Sequence, residues 1–370
     1  MQSGIAGAAG GPRTGVAEAE TAMDVMTVRG PVPAGDLGVT LMHEHFIANS
    51  LCFWTEPSDA EESALVEHKV SIENLGLLRR NPLFMRDNLV LDDEDLAVRE
   101  ALRFKAAGGR TIVETSSVGL GRDAAALRRI ATATDLHIVA GCGFYVGITH
   151  PAWLATATIE ELADHMVRDL TQGIDGTDIR AGIIGEIGTS LAVTPQEERI
   201  LRAAALTHRK TGRAITVHMG GRASESRRVL DVLEEAGADL SRIILCHMDD
   251  DLGDRDAHAA AAARGAYVEY DAFGAEWYFD ALGTQAARDT ERIRAVLWMA
   301  ERGYLERVLI AQDVWLKQAL RRYGGLGYDH ILRSIVPQLR REGLAEQDIK
   351  RLLVCNPARA LSGEDCVPEL

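Results

Sequence analysis

The chain has 370 residues, 46% of them hydrophobic and 26% charged, which fits a globular protein with one large α/β barrel or two medium domains. Its formal net charge of −15 argues against nucleic acid or an anionic membrane surface as a partner, because both are negatively charged. The five cysteines are odd in number and show no close pairing in the sequence, and no apolar run approaches the length of a membrane span. We therefore expect a cytoplasmic protein with reduced thiols.

The amino-terminal segment is rich in glycine, alanine and glutamate and lacks the apolar core of a secretory signal peptide. We expect residues 1–25 to form a disordered tail. The remainder shows no internal repeat and no second domain, so we expect one domain over residues 26–364.

From residue 37 onward, short apolar runs alternate with longer amphipathic patterns. The apolar runs predict eight strands, at 37–42, 111–115, 137–141, 182–186, 214–218, 243–247, 266–270 and 308–312. The amphipathic patterns predict helices at 92–107, 122–133, 158–170, 195–211, 225–236, 254–264 and 286–302, with further helices at 328–341, 345–354 and from Cys355 onward. This alternation predicts a (β/α)8 TIM barrel. A doubly wound open sheet is the alternative, although no Gly-x-Gly-x-x-Gly follows the first strand.

Residues 47–91 interrupt the alternation as an insertion after the first strand. They contain no clear strand and one possible helix, at 60–72. Long insertions on the carboxyl side of a barrel strand usually form part of the active-site wall or an oligomer contact, and a peripheral excursion is the alternative.

The first predicted strand leads into Leu-Met-His-Glu-His-Phe, residues 41–46. Side chains two positions apart in a strand point to the same face, so His43 and His45 share a face and Glu44 points away from it. Two imidazoles on one face at the end of a buried strand form half of a metal site. Two hydrogen-bonded polar residues at a strand end are the alternative.

Four more predicted strands lead into a single ionisable residue. These residues are Glu186, His218, His247 and Asp313. Each alone has a structural explanation, because the histidines could be hydrogen-bonded in the core, Glu186 could pair with Arg180 or Arg213, and Asp313 could cap a helix. In a barrel, however, the carboxyl ends of all strands meet at one mouth, where metal ions would satisfy the six buried polar groups together.

Six ligands fit a pair of divalent metal ions, with one oxygen of Glu186 for each ion. His43, His45 and Asp313 would complete one site, and His218 with His247 the other. Imidazole and carboxylate ligands favour Zn²⁺, with Mn²⁺, Co²⁺ or Fe²⁺ as alternatives. Two ions would hold a bridging hydroxide that attacks an ester-like or amide-like bond, and Asp313 would accept and deliver its proton.

Several longer motifs accompany these residues. They are Thr27–Pro31, Leu37–His45, Gly182–Ser190 and Asn356–Arg359. As an ordered set they resemble the phosphotriesterase family of the amidohydrolase superfamily, over nearly all of residues 26–361. The resemblance implies a (β/α)8 barrel, a binuclear and usually zinc metal centre, and a homodimer. It also implies that His43, His45 and Asp313 bind the more buried ion, and that His218 and His247 bind the more exposed one.

The fourth strand departs from part of that family. Phosphotriesterases and the related lactonases usually bridge their metals with a carboxylated lysine, but this chain has Ile183-Ile184-Gly185-Glu186 there, with no lysine nearby. It is most similar to the phosphotriesterase homology proteins, in which a glutamate bridges. The resemblance therefore points away from organophosphate triesters as the native substrate.

Loops after the strands should form the substrate pocket. Tyr145 follows strand three, and in the similar lactonases a tyrosine there lies beside the substrate, although a core-lining aromatic is equally compatible with the sequence. Arg222 follows His218 and could hold a substrate carboxylate or phosphate, or form a surface salt bridge. Phe273 and Trp277, after strand seven, and Trp315, after strand eight, predict an apolar acyl or aromatic group in a small-molecule substrate.

We therefore expect a metal-dependent hydrolase of a carboxylic ester, a lactone or an N-acyl compound in a catabolic role. A phosphoester hydrolase, acting on phosphotriesters or phosphodiesters, is the alternative. A barrel that binds a ligand without catalysis is a more remote one, because loss of catalysis usually breaks such a ligand set.

Overall fold

The computed structural model describes residues 24–366. Its centre is a parallel sheet of eight strands. They are β1 (Thr40–Glu44), β2 (Thr111–Glu114), β3 (His137–Cys142), β4 (Ile183–Gly188), β5 (Ile215–His218), β6 (Ile243–Cys246), β7 (Tyr267–Tyr270) and β8 (Val308–Ile310). Each strand pairs with the next along the chain, and a backbone hydrogen bond of 3.3 Å from Asp313 to His43 joins the two ends. The sheet is thus nearly closed, which confirms the predicted TIM barrel.

The α-helices surround the sheet, and seven of them follow the predicted helical patterns closely. The helices are α1 (Ala60–Leu65), α2 (Leu75–Arg80), α3 (Glu94–Ala106), α4 (Ala124–Thr134), α5 (Ile159–Thr171), α6 (Pro195–Thr211), α7 (Ser226–Glu235), α8 (Arg255–Ala263), α9 (Asp289–Glu301), α10 (Val336–Arg341), α11 (Glu346–Lys350) and α12 (Asn356–Ser362). Polar N-caps fix many of the helix starts. Thr158 and Thr194 form complete capping boxes at α5 and α6 with glutamates three residues later.

The first strand differs from its prediction of 37–42, because it begins at Thr40 and runs to Glu44. Residues 34–36 form a turn of 3-10 helix, and Gly38 has a left-handed φ of +61°. The chain cannot continue as a strand through such a conformation, so the strand begins beyond it. His43 consequently lies inside the strand and His45 just after it.

The insertion after β1 lies on the carboxyl side of the barrel. Two short antiparallel strands close it, Ala48–Asn49 and Val90–Leu91, where the sequence had shown no clear strand. The predicted helix at 60–72 is shorter, ending at Leu65. Leu83 and Leu89 of the insertion belong to one apolar cluster with residues that follow β7 and β8. The insertion therefore forms a wall against these two loops.

The opposite end of the barrel is covered by the first and the last elements of the described residues. An antiparallel pair, Asp24–Thr27 with Gly30–Pro33, contacts β3, and α12 packs beneath β1 and β8. Two residues of the predicted 1–25 tail, Asp24 and Val25, thus belong to a strand, while residues 1–23 lie outside the described residues.

Two cysteines meet beside α12, although the sequence showed no close pairing. Cys355 lies directly before the helix and Cys366 four residues after it, and their Sγ atoms are 2.6 Å apart. Over residues 24–366, the helices are all too short or too polar to cross a membrane.

Candidate metal centre

The six predicted metal ligands converge at the carboxyl ends of the strands. His43 lies in β1 and Glu186 in β4, and His218 ends β5. His45 and His247 directly follow their strands, and Asp313 lies three residues beyond the end of β8. His43, His45, Glu186 and His247 are buried, whereas the side chains of His218 and Asp313 are 17% and 13% exposed. The cluster is therefore a recessed site that opens toward solvent on one side.

Four donor atoms form a first set. Glu186 Oε1 lies 3.7 Å from His43 Nε2 and 3.6 Å from His45 Nε2. Asp313 Oδ1 lies 3.6 Å and 3.3 Å from the same two nitrogens. Ligands placed 2.0–2.2 Å from a tetrahedral ion are roughly 3.3–3.6 Å from one another, so these spacings fit one ion.

The second oxygen of Glu186 faces the other two histidines. Its Oε2 lies 3.0 Å from His218 Nδ1 and 3.6 Å from His247 Nε2. The two oxygens of one buried carboxylate thus lie beside two different histidine pairs, which is the arrangement of a bridging ligand. Neither Arg180 nor Arg213, the partners considered from the sequence, is among these contacts of Glu186.

A backbone irregularity in β4 aims Glu186 into the barrel. The register of β4 shifts against both neighbouring strands around Gly185. Gly185 has a φ of +120°, and a Cβ there would lie 2.2 Å from the backbone oxygen of Thr216. Only glycine fits this close approach, so glycine at position 185 is a steric requirement of the site.

Two ligand residues have left-handed backbone conformations that are uncommon for residues other than glycine. His247 has a φ of +56° and Asp313 a φ of +47°. The backbone N–H of His247 donates to both carboxylate oxygens of Asp271, at 3.1 and 3.0 Å. No helix begins at Asp313, which excludes the capping role considered for it. Surrounding contacts must hold both conformations, as is common at functional sites.

Burial and the charges of neighbouring side chains shift the pKa values of several residues in the cluster. Burial lowers the pKa of His43 to about 3, against the opposing charges of Glu186 and Asp313. Burial also acts against the charged form of His45, but the hydrogen bond and charge of Asp313 outweigh it and raise its pKa to about 9. The pKa of Glu186 is held well below its usual range, because His43 and His218 outweigh the effect of burial.

The donors match a metal ion better than they match one another. Both ring nitrogens of His43 and the Oδ1 atom of Asp313 are buried and make no hydrogen bond within residues 24–366. Buried polar atoms without partners are costly, and His43 and Asp313 belong to clusters in which each residue offers one ligand atom and these atoms all lie within 4.8 Å of one another. The residues present therefore fit divalent metal ions.

Three further residues orient the ligands, and the sequence reasoning missed them. Asp271 Oδ1 lies 2.9 Å from His247 Nδ1, and its Oδ2 lies 3.5 Å from His43 Nδ1. Ser116 Oγ lies 2.9 Å from His45 Nδ1 and donates to Glu114 at 2.7 Å. Carboxylates and hydroxyls of this kind fix the orientation of metal-binding histidines. For Asp271 and Glu114 the available signal was their place at the end of a strand.

The predicted pocket residues divide into two groups. The Tyr145 hydroxyl lies 3.3 Å from His218 Nδ1, and Phe53 of the insertion packs edge-on against both Tyr145 and Trp315. Phe273 and Trp277 form the second group and are also buried, at 1% and 7% exposure. They line a cavity of about 370 Å³ between the insertion and the loops after β7 and β8, a cavity that none of the six metal-site residues lines.

Arg222 lies in the loop after β5, four residues beyond His218. Its side chain is exposed, and its guanidinium makes no ion pair with any residue in the described part of the chain. The surface salt bridge considered from the sequence is therefore not formed, and the positive charge is available to a ligand.

Comparison with known proteins gives consistent matches over nearly the whole chain. The Phosphotriesterase family model matches residues 23–361. An N-acetyltaurine hydrolase from Rattus norvegicus is 38% identical over 91% of this chain and 97% of its own length. A solved resiniferatoxin-binding protein from Rhodobacter sphaeroides is 41% identical, with a TM-score of 0.91 over 93% of this chain and 97% of that one. The phosphotriesterase homology protein from Escherichia coli, solved with phosphate in its active site, is 30% identical, with a TM-score of 0.72 over 88% of this chain and 98% of that one.

Proposed function

The chain belongs to the phosphotriesterase family and is a hydrolase, and we propose that it cleaves the amide bond of N-acylated compounds with the help of two divalent metal ions. The observation that carries this proposal is the orientation of Glu186. Its two oxygens face two separate histidine pairs in one buried cluster, as a bridge between two ions requires.

His43, His45, Glu186 and Asp313 would hold one ion, and Glu186, His218 and His247 the other. When bound, such ions polarise a substrate carbonyl and lower the pKa of water. We propose Zn²⁺, because imidazole and carboxylate ligands at open sites suit it best.

Asp313 is the group of this chain that moves the proton. Although burial opposes ionisation, His45 and the neighbouring histidines hold the pKa of Asp313 below its usual range, so that it is a carboxylate at neutral pH. It can accept the proton of the attacking water and deliver it to the nitrogen of the leaving amine as the C–N bond breaks.

Tyr145 is placed to bind the acyl group. Burial raises the pKa of its phenol well above the usual range, so the hydroxyl stays protonated and can donate a hydrogen bond to a carbonyl oxygen. Trp315 and Phe53 beside it offer an apolar surface for the rest of the acyl group.

The position of Arg222 favours a substrate whose leaving amine carries an acidic group. Arg222 is an exposed cation four residues beyond His218 in the chain, with no carboxylate partner among the described residues, and guanidinium groups bind planar arrays of anionic oxygens in a forked geometry. The name of the rat relative, an N-acetyltaurine hydrolase, fits a substrate of this class, an acyl amide with an anionic end.

Metal analysis is the first test. We would measure metal content per chain by mass spectrometry, on protein purified without chelator, for the natural chain and for Glu186→Ala. Two ions per natural chain and a loss in the variant are expected. One ion per chain, unchanged in the variant, would contradict the bridge.

Substrate trials are the second test. The panel would hold N-acetyltaurine, N-acetylated amino acids, lactones, carboxylic esters and phosphoesters, each with the Arg222→Gln variant as a matched comparison. We expect hydrolysis of the acidic N-acyl compounds, with a KM raised about tenfold or more in Arg222→Gln and little change for uncharged esters. Turnover of phosphoesters alone would instead favour the alternative function, which the phosphate in the E. coli neighbour's active site suggests.

We also propose that the chain acts as a homodimer in the cytoplasm, as the family resemblance and the free thiols suggest. Light scattering coupled to size-exclusion chromatography would give the oligomeric state directly.

A further inference from the structure

Glu44 lies between the two metal-binding histidines in sequence, but its side chain points to the other face of β1. It is fully buried. Its Oε1 accepts hydrogen bonds from the backbone N–H of Gln312 at 2.9 Å and from the side-chain amide of Gln312 at 3.1 Å. Its Oε2 accepts from the backbone N–H of Val314 at 2.9 Å.

The two residues that Glu44 holds are the immediate neighbours of Asp313. Asp313 has a left-handed φ of +47°, and its own backbone N–H makes only a long hydrogen bond of 3.3 Å, to His43. The conformation therefore depends on contacts made by the residues on either side. Both of these residues donate their N–H groups to the same carboxylate.

The other ligand with a left-handed backbone is held in a similar way. The N–H of His247 donates to the buried carboxylate of Asp271, which also contacts the His247 ring. Each of the two strained ligand positions is thus fixed by a buried carboxylate that lies outside the set of six ligands.

We propose that Glu44 is a positioning residue that holds the backbone around Asp313, and so aims the Asp313 carboxylate at the metal centre and at the proton it transfers. This inference rests on the proposed function for the role of Asp313. The hydrogen bonds from Glu44 to residues 312–314 are the structural part of the inference, and they do not depend on metal or substrate.

A carboxylate is the group that this arrangement requires. Three N–H donors face the two Glu44 oxygens, so both oxygens must be acceptors. In Glu44→Gln one of these oxygens becomes an NH2 group, which can only face N–H groups of residue 312 or 314. At least one buried backbone donor then loses its partner.

The chain offers a matched control. Glu100 of α3 is also a buried glutamate that accepts two backbone N–H groups from the loop after β8, those of Arg321 and Arg322, at 3.1 and 3.0 Å. Glu100→Gln removes the same kind of contact from the same loop, but eight and nine residues beyond Asp313.

The first measurement is hydrogen exchange by mass spectrometry on metal-free protein. We expect the peptide that contains residues 312–314 to exchange at least tenfold faster in Glu44→Gln than in the natural chain, and to be unchanged in Glu100→Gln. The Glu100 variant should instead speed exchange at residues 321–322. Unchanged exchange at 312–314 in Glu44→Gln would overturn the proposal, whether or not the protein binds metal.

The second measurement separates positioning from general stability. We expect Glu44→Gln to lower metal affinity about tenfold and kcat about 10- to 100-fold, with KM within about threefold, and to shift the acidic limb of the pH–rate profile. Glu100→Gln should leave all four quantities near those of the natural chain. Equal losses in both variants would mean that Glu44 is only structural.

Glu44→Asp provides a third variant in case Glu44→Gln does not fold. It keeps two acceptor oxygens but withdraws them by one methylene, so exchange at 312–314 and kcat should both lie between those of the natural chain and those of the glutamine variant. A Glu44→Asp protein indistinguishable from the natural chain in exchange and in kcat would contradict the proposal. Absence of metal and turnover in the natural chain would contradict the proposed function. The hydrogen-exchange data would still decide whether Glu44 positions residues 312–314.

Discussion

At the scale of single residues, the two carboxylate oxygens of Glu186 connect the two histidine pairs of the site. Glu186 places one oxygen toward His43 and His45 and the other toward His218 and His247, and glycine at position 185 is what allows this orientation. Two further carboxylates orient the histidines of the site. Asp271 serves both His43 and His247, and Glu114 acts on His45 through Ser116.

Substitution of Asp313 by asparagine tests the proton transfer directly. The amide oxygen of Asp313→Asn can still contact an ion, but the side chain can no longer accept a proton. We expect metal content to stay the same and kcat to fall by about 100- to 10,000-fold, measured with the best substrate of the panel. Undiminished turnover would remove Asp313 from the proton transfer.

The raised pKa of His45 predicts that metal binding releases protons. In the metal-free protein His45 is protonated below a pKa of about 9, and a nitrogen that binds a metal ion must be free of its proton. At pH 7 we therefore expect each chain to release at least one proton on Zn²⁺ binding, and the apparent affinity to rise with pH up to about 9. Calorimetry in two buffers with different heats of ionisation counts these protons, and identical heats after correction for dilution would contradict the expectation.

At the scale of elements, the apolar runs predicted the strands because parallel barrel strands are covered on both faces. Five of the eight runs lead into a histidine or a carboxylate of the candidate metal site at the carboxyl end of the strand, which is why the sequence predicted that these six residues would lie together. The start of β1 was missed because the left-handed Gly38 interrupts an apolar run that otherwise looks continuous. The short strand pair of the insertion was missed because two residues carry no periodicity.

Residues that act through distant partners could not be predicted in this way. Glu44 and Val314 are 270 positions apart, and Cys355 and Cys366 meet only because α12 turns the chain back under the barrel. Phe273 and Trp277 were placed in the right loop, but burial within that loop depends on how the insertion packs against it. Such contacts are set by tertiary structure and leave no local pattern.

The cysteine pair beside α12 predicts a specific cross-link. The Sγ atoms of Cys355 and Cys366 are 2.6 Å apart, within easy reach of the roughly 2 Å of an S–S bond. We expect the oxidant diamide to take two electrons and two protons from these thiols and leave a disulfide. Trypsin cuts after Arg351 and Arg359, so the product would appear as residues 352–359 joined to residues 360–370, with a mass two daltons below the sum of the two peptides.

The Cys366→Ser variant is the control for this cross-link, since it keeps the size of the side chain and loses the sulfur. Cys142 and Cys246 are buried and should stay reduced under the same treatment. A mixture of random disulfides, or no joined peptide, would contradict the geometry.

At the scale of the whole molecule, the candidate metal centre lies where both ends of the sheet meet. Ligands come from β1 at one end, from β4 to β6 in the middle, and from the loop after β8 at the other end. Bound ions would provide partners for buried polar atoms of His43 and Asp313 that otherwise make no hydrogen bond among the described residues. The centre should therefore stabilise the closed barrel as well as serve the reaction.

Removal of metal is the corresponding prediction. Chelation should lower the midpoint of thermal unfolding by about 5 °C, because ligands that bind only the folded state stabilise it by mass action. Scanning calorimetry with and without chelator measures the shift, and added Zn²⁺ should restore it. The Glu186→Ala variant should show a much smaller response to chelator.

The position of the ligands along the chain also affects when the centre can form during synthesis. The histidine pair of β1 leaves the ribosome about 270 residues before the loop that carries Asp313, an interval on the order of tens of seconds at ordinary rates of translation. Glu186, His218 and His247 follow during that interval, but the set of six is complete only when Asp313 has been made. An ion that requires all six residues could therefore bind only after β8 has been made and the barrel has closed.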